Sequence, residues 1–310
     1  MNDKAKGYIY GSIAAATYGM NPLFALPLYQ EGMDADSVLF FRYLLALPIL
    51  GYMIRSRGRT FRLQRTEILP LAVLGLLVAF SSLALFQSYN YMAAGIASTL
   101  LFVYPIMVAL IMAIGFKERI SLLTVACIAL ALTGIGLLYR SEGGETLSTT
   151  GIALVMGSSL SYALYMIGVN RPRVRTIPTV KLTFYALLFG LTVFLVRVGG
   201  GASLILPHRW YHWVNLIALA LLPTVVSLVS TTRAVQYIGA TPTAILGALE
   251  PLTAIFFGVL LFGERLTPRI AGGIVLILLA VTLIVAGGKI ASSLVRIRKL
   301  FPKLPRRNRG

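Results

Sequence analysis

Ten apolar runs, each close to the length of a membrane-crossing helix, divide this sequence: 7–29, 37–54, 67–90, 94–115, 120–139, 149–170, 179–198, 213–235, 241–262 and 268–287. A helix rises about 1.5 Å per residue, so roughly twenty apolar residues cross the ~30 Å hydrocarbon layer of a bilayer. Inside lipid every backbone polar group must be paired within the protein, which leaves helices as the natural state of such runs. The expected fold class is an all-α integral membrane protein of ten transmembrane helices. Composition agrees, since 57% hydrophobic and 12% charged residues with a mean hydropathy of +0.83 lie outside the range of soluble domains. Lys4 and Lys6 ahead of the first run resemble a signal peptide's opening, but that run is too long and many more follow, so it counts as a span.

One acid stands inside these spans. Glu250 lies midway along Ala240 to Glu264, an apolar stretch, and an ionised carboxylate at that depth needs a partner, a wet cavity or a proton. Pro251 follows at once and frees the carbonyl of Gly247, so irregular backbone is expected beside the acid. The stretch has a twin. A shift of 146 residues sets Pro105 on Pro251, Tyr91 on Tyr237, Ala94 on Ala240, Glu118 on Glu264, Arg119 on Arg265 and Ser121 on Thr267. Internal symmetry of this kind marks transporter folds, and five spans per repeat would insert the second repeat upside down relative to the first. The expected organisation is a first repeat at 1–140, an external linker at 141–150, a second repeat at 151–288 and a basic tail at 289–310.

The basic residues orient the chain. With the amino terminus in the cytoplasm, 22 of the 28 Lys and Arg fall on the cytoplasmic side, five fall outside and Arg42 lies within a span. That bias obeys the positive-inside rule and places both termini in the cytoplasm, in a cell-membrane protein. It also explains the net charge of +18 without a nucleic-acid partner; the polyanion implied is the anionic lipid surface, against which the tail is expected to lie.

Other chemistry is sparse. A single cysteine, Cys127, permits no disulfide within the chain. His208 and His212 have the spacing of a ligand pair, but a third ligand is wanting and Trp210, Tyr211 and Trp213 around them read as an interfacial aromatic belt, so neither metal nor cofactor is expected. Small residues at four-residue spacing, Gly11, Ala15 and Gly19 in the first run and Ala153, Gly157 and Ser161 in the sixth, are expected to seat neighbouring helices, as are Gly272 and Gly273.

Candidate substrate-binding residues are Tyr18 and Asn21 in the first span, Gln87 and Asn90 in the third, Tyr104 in the fourth, Tyr162 and Tyr165 in the sixth, and Glu250 in the ninth. Tyr104 occupies the position equivalent to Glu250, each just before a proline, so the two should converge near the repeat axis. Arg42, Glu250 and Arg233 are the candidates for ion pairing or coupling. By depth, Arg42 can reach Glu250 or snorkel to the outer head groups. Many of the Ser and Thr residues of the third, sixth and eighth spans serve equally well as glue between helices.

The two halves resemble the paired EamA-type repeats of the drug/metabolite transporter superfamily. The resemblance rests on Thr17-Tyr18-Gly19, on Arg42 in FFRYLLALPIL, on Asn90 through Pro105, on Phe116-Lys117-Glu118-Arg119, and in the second half on Ser161-Tyr162-Ala163, Gly239 through Pro251 and Phe262-Gly263-Glu264-Arg265. It implies a ten-helix carrier of small metabolites such as amino acids, an exporter or exchanger, with a central cavity between the repeats lined by helices one, three, four, six, eight and nine. It does not fix the cargo.

Two other classes stand against a carrier. A channel favours rings of like side chains, whereas these halves are unlike with one acid between them; a non-transporting assembly protein needs no such acid. An intramembrane enzyme wants paired acids, a His with a nucleophile, or a metal set, and the spans offer one acid, no His and one Cys. A phosphate-binding GxxxxGK[ST] loop is absent as well. The expected partners are a small-molecule substrate, membrane lipids and, through Glu250, protons as coupling ion; oligomeric state is left open.

Overall fold

The computed structural model describes residues 3–116, 122–139, 148–169, 171, 174, 176–238, 243 and 246–283. The expectations for Glu118, for most of the linker and for the basic tail fall outside these residues. Among those described, the chain is helical with no strand. The helices are α1 (Asp3–Gly19), α2 (Asn21–Gln30), α3 (Ala35–Ser56), α4 (Arg65–Ser88), α5 (Ala94–Leu101), α6 (Tyr104–Phe116), α7 (Leu122–Tyr139), α8 (Thr149–Val169), α9 (Thr179–Arg197), α10 (Trp210–Leu219), α11 (Ser227–Ile238), α12 (Leu249–Phe262) and α13 (Pro268–Leu283). A π-helical segment, Ala220–Val226, joins α10 to α11.

Six stretches of the described residues are long and apolar enough to cross a membrane: α3, α4, α5 with most of α6, α8, α9, and α10 through the π segment into α11. Large apolar side chains such as Leu69, Val73, Phe80, Leu122, Val196 and Leu260 stay on the outside of the bundle, as a lipid solvent allows. Inside, Leu28, Leu39, Leu50, Phe86, Leu100, Phe194, Leu216 and Ile277 are fully buried in one continuous core.

Several expected spans are interrupted. The first divides at Met20, where Pro22 cannot donate to the Tyr18 carbonyl and the chain restarts as α2. The fourth divides at Phe102 and Val103, just ahead of Tyr104-Pro105, and the ninth turns at Gly247 and Ala248, just ahead of Glu250-Pro251. The same break therefore recurs, within one residue, at the twin position of each half. Where Pro223 stands in the eighth span, the backbone widens into the π segment.

Helix contacts decide which small residues matter. A Cβ at Gly11 would meet the Leu246 side chain at 2.5 Å, and one at Gly19 would strike the Glu250 carbonyl, so α1 presses directly on the second half. Gly273 and Gly134 lie backbone to backbone, each Cβ position 2.8 Å from the other's carbonyl oxygen, so Gly273 seats α7 of the same chain. The expectation for Gly157 fails. Nothing lies within 4 Å of its Cβ position, which instead lines an apolar groove with Met107, Leu110, Ile111, Met156 and Leu160.

At one end of the bundle Arg197 closes a bidentate pair with Asp36, at 2.6 and 2.8 Å, and Asp34 caps α3 through the Ser37 N–H at 3.0 Å. At the other end Gln64 and Glu67 form a capping box on α4, and Lys181 donates to the Arg62 carbonyl at 2.5 Å. The belt residues Trp210 and Trp213 are exposed, with Trp213 edge-on to Phe41 at 5.6 Å. His212 is buried and His208 exposed.

Candidate functional site

The candidate residues Tyr104 and Glu250 stand at the two proline breaks. At the first, Pro105 leaves the Leu101 carbonyl without its helical donor, and the Ser159 hydroxyl of α8 donates to it at 3.1 Å and to Leu100 O at 3.3 Å. The freed polar group is thus satisfied inside the protein, and Tyr104 is held where α6 begins. At the second break the Glu250 N–H turns back to Gly247 O at 3.0 Å, taking up the carbonyl that Pro251 cannot use. Glu250 then opens α12. The backbone irregularity expected beside the acid is present.

Tyrosines gather around this acid. The Tyr104 ring stands edge-on to Tyr162 at 4.7 Å, and Tyr162 stacks on Tyr165 at 5.9 Å. Tyr18, Tyr89, Tyr104 and Tyr162 lie within electrostatic reach of the Glu250 carboxylate. Five of the eight candidate binding residues, Tyr18, Tyr104, Tyr162, Tyr165 and Glu250, therefore form one aromatic cluster with an acid in it, and each keeps part of its surface open. Gly19 makes the closeness possible, because the Glu250 carbonyl and, at 2.7 Å, the Thr253 Cβ occupy the space of a side chain there.

Asn21 stands at the Met20 break, 2% exposed, and its Oδ1 accepts no hydrogen bond from the described residues. Gln87 and Asn90 differ from the rest. Asn90 Nδ2 donates to Gln87 Oε1 at 3.4 Å, and Asn90 is exposed beyond the end of α4.

The cations do not behave as sequence depth suggested. Arg42 forms no ion pair with Glu250 and does not snorkel; it is 5% exposed, with Nε donating to Thr224 Oγ1 at 3.0 Å and its guanidinium over the Phe86 ring at 5.3 Å. Its placement follows from Pro223. That residue frees the Leu219 carbonyl, the Thr224 hydroxyl donates to it at 3.0 Å, and the same oxygen then accepts from Arg42. Tyr18 and Tyr89 are within electrostatic reach of Arg42 as well as of Glu250. Arg42 and Glu250 thus approach the same tyrosines from an unpaired state: among the described residues the Arg42 Nη atoms and the Glu250 carboxylate have no hydrogen-bonding or ionic partner. Among the described residues Arg233 has no acidic partner either. It donates to the Tyr10 hydroxyl at 2.9 Å, with its guanidinium 5.2 Å from that ring, and is exposed.

Several hydroxyls of the polar spans act as glue. Ser81 and Ser158 bridge α4 to α8 at 3.1 Å, Ser227 donates to Ala14 O at 2.9 Å, and Tyr43 meets Ser82 at 2.9 Å. Sequence reasoning passed over Ser159 and Tyr89. Nothing distinguished Ser159 from its neighbours, whereas Tyr89 stood beside two named candidates.

A further acid, Glu264, crosses between the halves. Its Oε1 accepts the Ala94 N–H at 2.7 Å and its Oε2 the Gly95 N–H at 3.3 Å, at the start of α5. Burial pushes this carboxyl above the usual carboxylate range, while the two backbone N–H groups draw it back.

A bundle of long apolar helices with twin breaks is the fold of a multi-pass membrane protein. Residues 5–140 and 149–286 each match the EamA-like transporter family, and the chain belongs to that family. It is 29% identical over 249 residues to an uncharacterized transporter of Archaeoglobus fulgidus, covering 78% of this chain and 84% of that one. It is 24% identical to the uncharacterized transporter YcbK of Bacillus subtilis, covering 86% and 88% of the two chains. A solved crystal structure superposes with a TM-score of 0.65 at 15% identity, over 94% of this chain and 99% of that one, which shows the fold alone. Family and relatives alike indicate a transporter.

Proposed function

We propose that this transporter carries a small zwitterionic metabolite such as an amino acid, by export or exchange, through alternating access of a cavity between two five-helix halves. The observation that carries this reading is that Glu250 and Arg42 lie near the same tyrosines, Tyr18 and Tyr89, with no ion pair between them. A ligand bearing one ammonium and one carboxylate would give the Glu250 carboxylate and the Arg42 Nη atoms the partners they lack among the described residues. The carboxylate of Glu250 takes the ammonium, the Nη atoms of Arg42 take the carboxylate bidentately, and the tyrosine faces receive an apolar side chain. Asn21 Oδ1 supplies one more acceptor.

The arrangement in the membrane follows the same reading. Ten spans form two inverted repeats, 1–140 and 151–288, joined by an external linker at 141–150 and followed by a tail at 289–310 on the lipid surface, with both termini cytoplasmic in the cell membrane. The meeting of Ala94 with Glu264 supports inversion, because the start of α5 in one half lies beside the end of α12 in the other. Protons are the proposed coupling ion, exchanged at Glu250 as its surroundings alternate between dry and wet.

Thermal unfolding of the purified protein in the presence of an amino acid, the matching amine without its carboxylate, and the matching N-acetyl acid without its ammonium tests the reading. A true cargo at one hundred times its dissociation constant stabilises by about 2.7 kcal/mol, so only the zwitterion should raise the transition. Stabilisation by the amine alone to the same degree would remove Arg42 from the site and make the cargo a simple cation. Saturable counterflow in proteoliposomes is then expected for the zwitterion that stabilises; conduction without saturation would make the protein a channel.

A further inference from the structure

The short helix α5 begins at Ala93, a residue with no side chain that could cap it, and its first N–H groups would stand unpaired in an apolar setting. Glu264, 170 positions away in the other half, supplies the acceptors for Ala94 and Gly95. Three features of the second half place it there. Gly263 ends α12 in the left-handed conformation, at φ +66°, which reverses the chain. The Glu264 N–H then bonds Gly258 O at 3.0 Å, and the carboxylate lies in the space that a Cβ on Gly258 would fill. Ala93, Ile96, Ile255, Val259, Leu266 and Ile270 enclose it in a largely apolar pocket.

The two helices so joined are the ones that lead to the two breaks. α5 leads through the Phe102–Val103 break to Tyr104, and α12 carries Glu250 in its first turn, just after the Gly247–Ala248 break. On the alternating-access reading, opening at this end would move α5 away from the end of α12 and so first take the carboxylate from the α5 N-terminus. A charge-assisted bond to helix-terminal N–H groups favours contact strongly enough to hold the end shut, yet breaks reversibly in a way an extended apolar interface does not.

We propose that Glu264 is the latch that closes this end of the cavity, holding α5 against α12 in the closed state and releasing it when the cavity opens there. The inference rests on the alternating-access reading, but its test needs no cargo. Thr99 in α5 is fully buried and the native Cys127 in α7 is 1% exposed, so the full chain provides a reporter and a control. In the Thr99→Cys protein in detergent, the rate of maleimide labelling at position 99 should rise at least about tenfold on adding Glu264→Ala, corresponding to about 1.4 kcal/mol of lost closure, with labelling at Cys127 unchanged. Glu264→Gln, which keeps one carbonyl acceptor and loses the charge, should give an intermediate rate. Unchanged labelling at position 99, or equal acceleration at both positions, would overturn the latch, the second outcome marking Glu264 as a general structural cap. Cargo stabilisation measured by unfolding is independent of these rates, so failure of the latch and failure of the cargo assignment are told apart.

Discussion

The Ser159 hydroxyl donates to the Leu101 carbonyl at 3.1 Å, supplying the hydrogen bond that Pro105 denies to the fourth span. A break in a membrane helix persists only where another helix satisfies the freed groups, and α8 does so here. Ser159→Ala should leave the bond unmade with little change of shape. Interhelical hydrogen bonds in membranes average about 0.6 kcal/mol, so a fall of only about one degree in the unfolding temperature is expected, with a larger loss of cargo affinity because Tyr104 is released. Equal affinity in mutant and wild type would show that the break does not position Tyr104.

Gly19 separates close approach from general helix content. A methyl group at Gly19 meets the Glu250 carbonyl and, at 2.7 Å, the Thr253 Cβ, whereas one at Gly157 meets nothing within 4 Å. Gly19→Ala should destabilise by about 1–3 kcal/mol through overpacking. Gly157→Ala should be neutral or stabilise by up to about 1 kcal/mol through helix propensity. Thermal unfolding of the two variants in the same detergent checks the contrast, and matching losses would contradict the packing described for α1.

Thr224 joins the Pro223 bulge to Arg42. Thr224→Val preserves shape but deprives Leu219 O of a donor and Arg42 Nε of an acceptor. Loss of the bond from a charged group is expected to cost about 1.5–3 kcal/mol. If Arg42 binds the carboxylate of a zwitterion, the same variant should lower affinity for the zwitterion while sparing weak binding of the matching amine. Calorimetric titration of both ligands measures the difference.

Proton coupling is tested at Glu250. Glu250→Gln keeps size and most hydrogen bonding but removes the charge, so the variant should bind the zwitterion more weakly and, at cargo concentrations that saturate it, still exchange cargo across a proteoliposome membrane while losing accumulation driven by a pH gradient. Wild-type transport indifferent to an imposed gradient, with membrane potential clamped, would leave Glu250 as a cargo-binding acid alone.

Membrane orientation is accessible to thiol labelling in intact cells. In a Cys127→Ser background, a cysteine replacing exposed Thr149 should react with an impermeant reagent added outside, and one replacing exposed Ser56 should not. The charge bias on which this rests is strong, with 22 of 28 basic residues assigned to the cytoplasmic side. Reaction at both positions would refute the inverted arrangement.

The sequence by itself determined the helical membrane class, the two related halves and the identity of the inward acid. These follow from run length, from the 146-residue shift and from the cost of charge in lipid, all of which are local or periodic properties of the chain. It also announced the break at Pro251, because a proline removes a donor wherever it stands in a helix. Tertiary structure decided which side chains answer the proline breaks. One serine among several on α8 faces Leu101, and Thr224 turns Arg42 away from Glu250 toward Phe86. Glu264, visible in sequence only as a twin of Glu118, reaches a helix start 170 residues away. Pairings of this kind depend on the rotation of each helix about its axis and on its contact height, which are set by packing between distant segments and leave no mark on the periodicity of any one of them.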